Sequence, residues 1–522
     1  MKANRPTRAD IIIINLLTSG IAWAWPVLLS LVVAPILVRG LGNDSYGIRG
    51  LTSAVVGYFA LLELGFNAAV TKYLAEYIAK KEKLLISELI GTTLSTYAVI
   101  GLIGGVVIWS LAEWLSNSVF SVPTHLKQES VWAFRITGIG FFFSMLIWWG
   151  SAIPAGVQRF DIFNGISIGF GTLTSVGSLL AVWFGFGLLG VIWASVLANI
   201  LTTVAYFVAA RKLLPDVRLG FSFETKMFKR TAMFGLYMAL FRLFALVFSQ
   251  TDRLLVGGLL GPGALTFYII PHQLASFVHQ INAKTMQIIF PMASELWAFR
   301  ERGKLKKLFL RGMNLSFVVG LSVALPLFVL AKAALIFWMS PEIAEKSALP
   351  LQILTIMYFL MGLTALPSSV LSGMGFPQVP AIASVITGMS SLLCYWLLIN
   401  SWGINGVALG SLIGMIMSIV FYGFVSKRLA GISLWALGRV VVRPLIPALL
   451  IGFVVERFLV VRVTALWTAL VAGILIMLSY SVTCWLSGVL SYEEKRGLLS
   501  FALRFFPPSN LPVIKDSVKR EV

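Results

Sequence analysis

The feature that constrains this sequence most is a series of long apolar stretches that recurs along almost its whole length. A membrane-spanning helix needs about 20 mostly apolar residues, and fourteen segments of that kind can be placed. They lie near residues 11–38, 50–71, 88–112, 131–154, 162–185, 188–210, 231–252, 263–290, 311–338, 347–370, 378–399, 405–426, 441–460 and 464–489. Only 12% of the 522 residues are charged, about half the share usual in soluble domains. The sequence therefore predicts an all-α polytopic membrane protein with about 14 transmembrane helices.

The distribution of Lys and Arg predicts how these spans are oriented. With the N-terminus in the cytoplasm, and with the basic residues near span ends (Arg311, Lys332, Arg443 and Arg457) counted with the adjacent loop, 30 of the 41 Lys and Arg residues fall in cytoplasmic segments and 8 in external ones, as the positive-inside rule requires. We interpret the basic loops behind the net charge of +20 as determinants of topology that touch lipid headgroups, with no nucleic acid as partner. The expected location is the cytoplasmic membrane, with both termini in the cytoplasm.

An internal repeat with an offset of about 213 to 221 residues predicts two copies of six spans, against the alternative of convergent similarity between Gly-rich apolar helices. The matches are Leu37–Gly42 with Leu255–Gly261, Tyr73–Glu76 with Pro291–Glu295, and Gly190–Ser195 with Gly406–Ser411. Two copies that enter from the same side form a parallel repeat of the kind found in transporters. The predicted organisation is an N-lobe at 1–210, a basic cytoplasmic linker at 211–230, a C-lobe at 231–428, two further spans at 429–490 and a cytoplasmic tail at 491–522.

Polar side chains recur on one face of the second, seventh and eighth spans when a helical period of 3.6 residues is applied. A charged group at the bilayer centre costs roughly 3 kcal/mol or more, so such groups usually face a cavity or a partner. We expect a shared, net cationic cavity, against the alternative that single members pair locally or are satisfied by packing. The candidate cavity residues are Arg49, Glu63, Asn67, Arg242, Gln250, His272, Ser276, His279, Gln280 and Lys284.

Metal and enzyme chemistry have little support in the sequence. The two cysteines and three histidines show no metal-ligand spacing and no disulfide framework. The connections between predicted spans are short, whereas a membrane glycan polymerase, ligase or glycosyltransferase generally needs a sizeable polar domain. We therefore predict no catalytic residues, no metal site and no enzyme activity.

Four segments resemble a known family of transporters. Leu41–Gly47, Phe59–Phe66, Tyr73–Glu76 and Thr251–Leu255 are similar to the signature segments of polysaccharide-type, O-antigen flippases in the multidrug/oligosaccharidyl-lipid/polysaccharide (MOP) exporter superfamily. The resemblance implies two pseudo-symmetric six-helix lobes in a V-shaped arrangement around a cleft lined by spans 1, 2, 7 and 8, followed by two C-terminal helices.

The same resemblance implies a flippase that moves a polyprenyl-pyrophosphate-linked oligosaccharide across the membrane by alternating access during O-antigen, capsule or exopolysaccharide biosynthesis. It implies no cofactor, although coupling to a H⁺ or Na⁺ gradient is expected in some members, with Glu63 and Asp252 as the candidate carboxylates here. Polysaccharide polymerase or assembly proteins are expected partners, beside the lipid-linked substrate and the bilayer. The alternative is an ion-coupled multidrug or small-molecule antiporter of the same superfamily, which would favour an anionic cavity. The first span has no basic residue in its interior, unlike lipid II flippases, and this argues against that subgroup.

Overall fold

The structure is a computed structural model. It describes residues 8–63, 65–286, 289–458 and 463–496, and within these ranges it describes the side chains except at residues 8–19, 21, 237–249, 284–286, 291, 430 and 434. The described residues form helices and connecting segments, with no strand among them.

Sixteen α-helices follow one another along the described part of the chain, and their bounds are as follows. They are α1 (Arg8–Leu41), α2 (Asn43–Phe59), α3 (Phe66–Lys80), α4 (Lys83–Trp114), α5 (Lys127–Gly156), α6 (Phe160–Trp183), α7 (Gly187–Leu213), α8 (Thr225–Leu255), α9 (Pro262–Met286), α10 (Ile289–Ala298), α11 (Arg302–Val329), α12 (Ala331–Trp338), α13 (Pro341–Gly373), α14 (Gln378–Ala430), α15 (Leu434–Phe458) and α16 (Leu466–Leu486).

Most of these helices have the length and composition of membrane spans. Ten stretches of the described chain pass that test, and the bent pair Asn43–Glu63 and Phe66–Lys80 makes an eleventh. One of the ten, Gln378–Leu429, has 52 residues and would measure about 78 Å at about 1.5 Å per residue. It breaks at Gly403, where φ is 52° and ψ is −133°, so it supplies two crossings. The all-α, many-span prediction is therefore confirmed, while crossings by α8 and by α9 with α10 stay predictions.

The second predicted span is not one continuous helix. After α2 the backbone tightens into a 3₁₀ turn at Ala60–Glu63, and α3 begins after Gly65, whose φ is 73°. The two helical parts are bent by 44°. The prediction that the polar residues of the second span share one face assumes an unbroken helix, so residues before and after this bend do not share one face.

The first compact unit contains residues up to Leu274 together with Leu335–Leu354 and Pro380–Ser418. Within it α5 packs against α4 and α7, and α6 packs against α1 and α7, while α2 and α3 both contact α8. The basic segment 211–230 runs beside α4, where Lys83 Nζ lies 2.6 Å from Asp216 Oδ2. The hydrogen bond and charge of Lys83 lower the pKa of the Asp216 carboxyl.

The second compact unit contains Ala275–Ala334, Thr355–Val379 and the chain from Ile419 onward. Here α11 packs against α10, α15 and α16. Its core joins Leu330 on one side to Val455 of α15 and Ile476 of α16. These units follow packing and divide α9 and α13, so the lobe boundaries expected from the repeat stay a prediction.

Two glycines at matching positions of the repeat have the same unusual backbone conformation. Gly42, before α2, has φ 78° and ψ 167°, and Gly261, before α9, has φ 88° and ψ 167°. This region of backbone space is essentially open to glycine alone. The shared geometry at an offset of 219 residues supports the repeat that the sequence predicts.

The helices that follow these glycines touch at their first turns, within the first unit. The Thr266 hydroxyl donates to the Asn43 carbonyl oxygen over 2.6 Å. A Cβ placed on Gly47 would lie 1.8 Å from the carbonyl oxygen of Pro262. We call this approach of α2 and α9 the glycine contact, because a larger residue at position 47 has no room.

Candidate functional site

Glu63 is a buried carboxylate that holds the break in the second span together. Its two oxygens accept hydrogen bonds from the backbone N–H groups of Gly65 (3.0 Å) and Asn67 (2.5 Å), at the start of α3. The Tyr97 hydroxyl of α4 donates to it over 2.8 Å. A carboxylate at a helix N-terminus satisfies free N–H groups and the helix dipole together. The geometry thus gives Glu63 a helix-capping role, while its roles as cavity residue and coupling carboxylate stay predictions.

Asn67 joins α3 to α5. Its side-chain amide donates to the carbonyl oxygen of Trp148 over 2.7 Å and to the Ser151 hydroxyl over 3.1 Å. The predicted polar face of the second span is therefore divided, with Glu63 directed to α4 and Asn67 to α5.

Arg49 lines a polar cavity between α2, α5, α6 and α7, entirely within the first unit. The cavity has a volume of about 350 Å³, and we call it the hydroxyl cavity. Its lining consists of Arg49, Thr52, Ser53, Val56, Thr137, Gly140, Phe141, Ser144, Phe170, Thr174, Ile192, Ser195, Val196 and Asn199. On α2, α5 and α7 the lining residues follow the i, i+3, i+4, i+7 spacing of one helix face. The lining residues of each of these helices therefore lie on one face, and that face is directed toward the cavity.

Asp252, at the end of α8, is buried in a network with α9. One carboxylate oxygen accepts from the Tyr268 hydroxyl over 2.9 Å and the other from the backbone N–H of Arg253 over 2.8 Å. His272 Nε2 lies 3.6 Å from the Asp252 carboxylate, and Arg253 Nη2 lies 3.2 Å from His272 Nδ1. Arg253 also donates to Gln250 Oε1 over 3.4 Å. The structure thus brings three predicted residues, Gln250, Asp252 and His272, into one network.

The other predicted residues of α9 lie in the second unit. The side-chain amide of Gln280 donates to the Ser276 hydroxyl over 3.1 Å. The ring of His279 lies 6.5 Å from that of Tyr358, and among the described residues its buried Nδ1 has no hydrogen-bond partner. The side chains of Arg242 and Lys284 lie outside the described part of the chain, so their placement in a cavity stays a prediction.

Two tyrosines that sequence reasoning missed complete these networks, and a third buried polar residue, Asn282, bonds separately. Tyr97 and Tyr268 donate to the two candidate carboxylates. Asn282, fully buried, accepts from the Ser316 hydroxyl over 2.8 Å. Tyrosines carry no signal of this role in a hydrophobic sequence, whereas an asparagine within a predicted span was visible as a polar exception. In the described part of the chain, no three His, Cys, Asp or Glu side chains come together as a metal site.

The second unit contains an apolar groove between α11, α13 and α15, with a volume of about 560 Å³. Phe317, Phe359 and Phe453 are among its lining residues, and the polar exceptions are Thr355 and Glu456. We call it the apolar groove. A surface with so few polar side chains offers little to sugar hydroxyls and suits hydrocarbon.

The fold is similar to solved structures of transporters. A lipid II flippase MurJ in an inward closed conformation aligns with a TM-score of 0.71 at 15% identity, covering 91% of this chain and all of that one. An inward-facing multidrug resistance MATE family transporter of the MOP superfamily aligns with a TM-score of 0.64 at 18% identity, covering 80% of this chain and 97% of that one. These likenesses establish the MOP-type fold that the resemblance implied.

Proteins of similar sequence are described as a transporter or as a membrane protein. A Shigella flexneri protein named "Putative O-antigen transporter" is 22% identical over 431 residues, which is 81% of this chain and 99% of the relative. The "Uncharacterized membrane protein EpsK" of Bacillus subtilis (strain 168) is 22% identical over 501 residues, 93% of this chain and 97% of the relative. A family model described as "Polysaccharide biosynthesis protein" matches residues 36–341, more than half of the chain. The chain is therefore a multi-pass membrane protein that belongs to this polysaccharide biosynthesis family.

Proposed function

We propose that this protein is a flippase that moves a polyprenyl-pyrophosphate-linked oligosaccharide across the cytoplasmic membrane by alternating access, in polysaccharide biosynthesis. The family match and the O-antigen transporter relative support the polysaccharide pathway. The MOP-type fold supports a carrier and not an enzyme. The distribution of Lys and Arg supports a cytoplasmic location of both termini.

The observation that carries the proposal is the presence in one chain of two unlike binding surfaces. The hydroxyl cavity has one cation, Arg49, and no acidic residue in its lining. The apolar groove is almost without polar side chains. The proposed cargo also has a polar part and an apolar part. Its sugars and diphosphate are polar and anionic, and its polyprenyl chain is apolar.

A drug antiporter of the same superfamily is the second candidate, and the fold likeness to MATE transporters is its support. Such a carrier of cationic drugs needs carboxylates free to meet its cargo. The two candidate carboxylates, Glu63 and Asp252, are instead bonded to backbone N–H groups and tyrosines. We therefore favour the lipid-linked oligosaccharide, with Asp252 as the better candidate for coupling to a H⁺ or Na⁺ gradient because His272 lies beside it. Polymerase or assembly proteins of the pathway remain the proposed partners.

Deleting the gene tests the proposed cargo directly. We expect an oligosaccharide-lipid to accumulate on the cytoplasmic face of the membrane, because its polar head cannot cross the hydrocarbon unaided. A membrane-impermeant glycan-modifying probe, applied to intact cells and to inverted vesicles, reports which face the glycan occupies. Re-expression should restore the outward distribution. An unchanged distribution, in a strain without a redundant flippase, would instead favour the antiporter.

The double variant Arg242→Ala with Lys284→Ala tests the cationic cavity that the sequence predicts. We expect at least a tenfold loss of translocation, because a charge-assisted hydrogen bond to phosphate contributes about 1.5–3 kcal/mol. The matched control is Lys304→Ala with Lys346→Ala, which removes two exposed cations that pair with Glu301 and Glu342. Wild-type translocation by a correctly inserted double variant would remove these two residues from the site.

A further inference from the structure

The hydroxyl cavity contains a cation, Arg49, that forms no ion pair with any residue that the structure describes. Arg49 lies in the second turn of α2. Among the described residues its guanidinium forms no ion pair and no hydrogen bond, and it lies 5.8 Å from the centre of the Tyr46 ring. A guanidinium offers five N–H donors in a planar fork that fits a carboxylate or phosphate. The cavity therefore has an open position for one anionic group.

The hydroxyl groups of the cavity are arranged mainly as acceptors. Ser144 donates its proton to the Phe141 carbonyl oxygen over 2.7 Å, and Ser195 donates to that of Val191 over 3.2 Å. Thr52, Ser53 and Thr137 donate to their own helices in the same way. A hydroxyl whose proton is used in this way keeps lone pairs for an incoming donor. The lining thus suits a ligand that carries several O–H groups.

One lining hydroxyl has no partner at all within the described part of the chain. The side-chain Oγ1 of Thr174, on α6, is buried and has no hydrogen-bond partner among the described residues. Asn199 of α7 uses its amide N–H on the Gly140 carbonyl oxygen over 3.1 Å, which leaves its amide oxygen available as an acceptor. A buried polar group left unpaired costs free energy, so Thr174 indicates that the cavity is completed by something that bonds to it.

The size of the cavity limits what that occupant can be. Its volume of about 350 Å³ is near the lower end of the range of about 300–1,000 Å³ for small-ligand pockets. One sugar ring fits this space, whereas a whole oligosaccharide does not. Phe141 and Phe170 supply apolar walls beside the hydroxyl groups, and the two faces of a sugar ring are themselves less polar than its edge.

We propose that the hydroxyl cavity binds one acidic sugar residue, with its carboxylate on Arg49 and its hydroxyls on the acceptors of α5, α6 and α7. This inference rests on the proposed function for the source of the sugar, which is then a residue of the carried oligosaccharide. The same chemistry also describes a free sugar acid. The binding site itself depends only on the cavity, so it can stand if the proposed cargo fails.

Binding to the purified full-length protein tests the site. D-glucuronate is the probe. D-glucose is the control that lacks the negative charge, and inorganic phosphate is the control that has a negative charge but no sugar hydroxyl groups. We expect glucuronate to raise the unfolding temperature more than either control at equal concentration, because binding to the folded state alone stabilises it. An equal or larger effect of glucose or phosphate would overturn the proposal.

Two substitutions separate the charge from the hydroxyl contribution. Arg49→Gln is expected to weaken glucuronate binding about tenfold to a hundredfold, and Thr174→Val, which keeps the side-chain shape, about twofold to tenfold. Arg135→Gln is the matched control, since Arg135 pairs with Glu113 and does not line the cavity. Thr174→Val should leave the empty protein at least as stable as before. Full binding by the folded Thr174→Val and Arg49→Gln variants would contradict the site.

Translocation assays identify the source of the sugar. In proteoliposomes, Arg49→Gln should slow the transfer of a lipid-linked glycan that contains a uronic acid more than that of a neutral glycan, if the occupant belongs to the cargo. If glucuronate binds through Arg49 but both transfers are unchanged, the site takes a free sugar acid. Absence of all translocation by the wild type, with glucuronate binding intact, would count against the proposed function and not against the site.

Discussion

Gly47→Ala is expected to lower the free energy of unfolding by about 3 kcal/mol or more, a cost at or above the upper end for overpacking. The added Cβ would lie 1.8 Å from the carbonyl oxygen of Pro262. The Cβ position is fixed by the backbone of α2 and the oxygen belongs to the backbone of α9, so neither can move without shifting a helix. Relief requires α2 and α9 to separate at the glycine contact, which also strains the hydrogen bond from Thr266 to Asn43. Thermal unfolding of the purified protein in detergent measures the effect.

Gly165→Ala is the matched control for this experiment. Gly165 lies within α6, and a Cβ there meets nothing within 4 Å. Alanine has a higher helix propensity than glycine by about 1 kcal/mol, so this variant should be as stable as the wild type or more so. Equal unfolding temperatures for the two variants would show that the glycine contact does not exist.

Glu63→Ala is expected to destabilise the protein by about 3 kcal/mol or more, since it leaves the N–H groups of Gly65 and Asn67 and the Tyr97 hydroxyl without their acceptor. Glu63→Gln keeps an acceptor oxygen for Asn67 and Tyr97 but places its NH₂ group against the N–H of Gly65, so it should lose less than Glu63→Ala. Glu113→Ala, at a side chain that is 67% exposed in its pair with Arg135, should change stability by no more than about 1 kcal/mol. Tryptophan fluorescence during thermal unfolding compares the three variants.

The same variants separate a capping role from a coupling role for Glu63. A cap needs an acceptor atom, whereas coupling to protons needs a group that titrates. If Glu63→Gln unfolds near the wild-type temperature and still transports, the capping role is sufficient. If it is stable but inactive, Glu63 is the coupling carboxylate and the role that its hydrogen bonds indicate is incomplete.

Long apolar segments made the spans predictable, because each must satisfy its backbone as a helix whatever surrounds it. The repeat was also visible, and the matching backbone of Gly42 and Gly261 supports it. Which side chains face one another was much less predictable. A helical period applied across residues 50–71 assumes one continuous helix. The structure interrupts that helix with a 3₁₀ turn at Ala60–Glu63, so the direction of every side chain after the turn differs from the one that the period assigns.

The hydroxyl cavity shows that the sequence also does not reveal which polar residues of different helices lie together. Arg49 was predicted as a cavity residue, but Thr174 and Asn199 come from helices whose polar residues looked ordinary in the sequence. Ser and Thr in a span usually bond to the preceding turn of their own helix, and most of those in this lining do so. That local bonding hides their shared position, which only the packing of four helices reveals.

The break of α14 at Gly403 bears on how the chain is synthesised. The connection there is short: Asn400, Ser401 and Asn405 are its polar residues, and helical residues flank Gly403 on both sides. The insertion machinery then has only a few polar residues to pass into water between the two halves, so we expect them to enter the bilayer together as a hairpin. We expect an epitope or reporter enzyme inserted at this position to interfere with biogenesis, and one inserted in the longer segment between α7 and α8 to be tolerated.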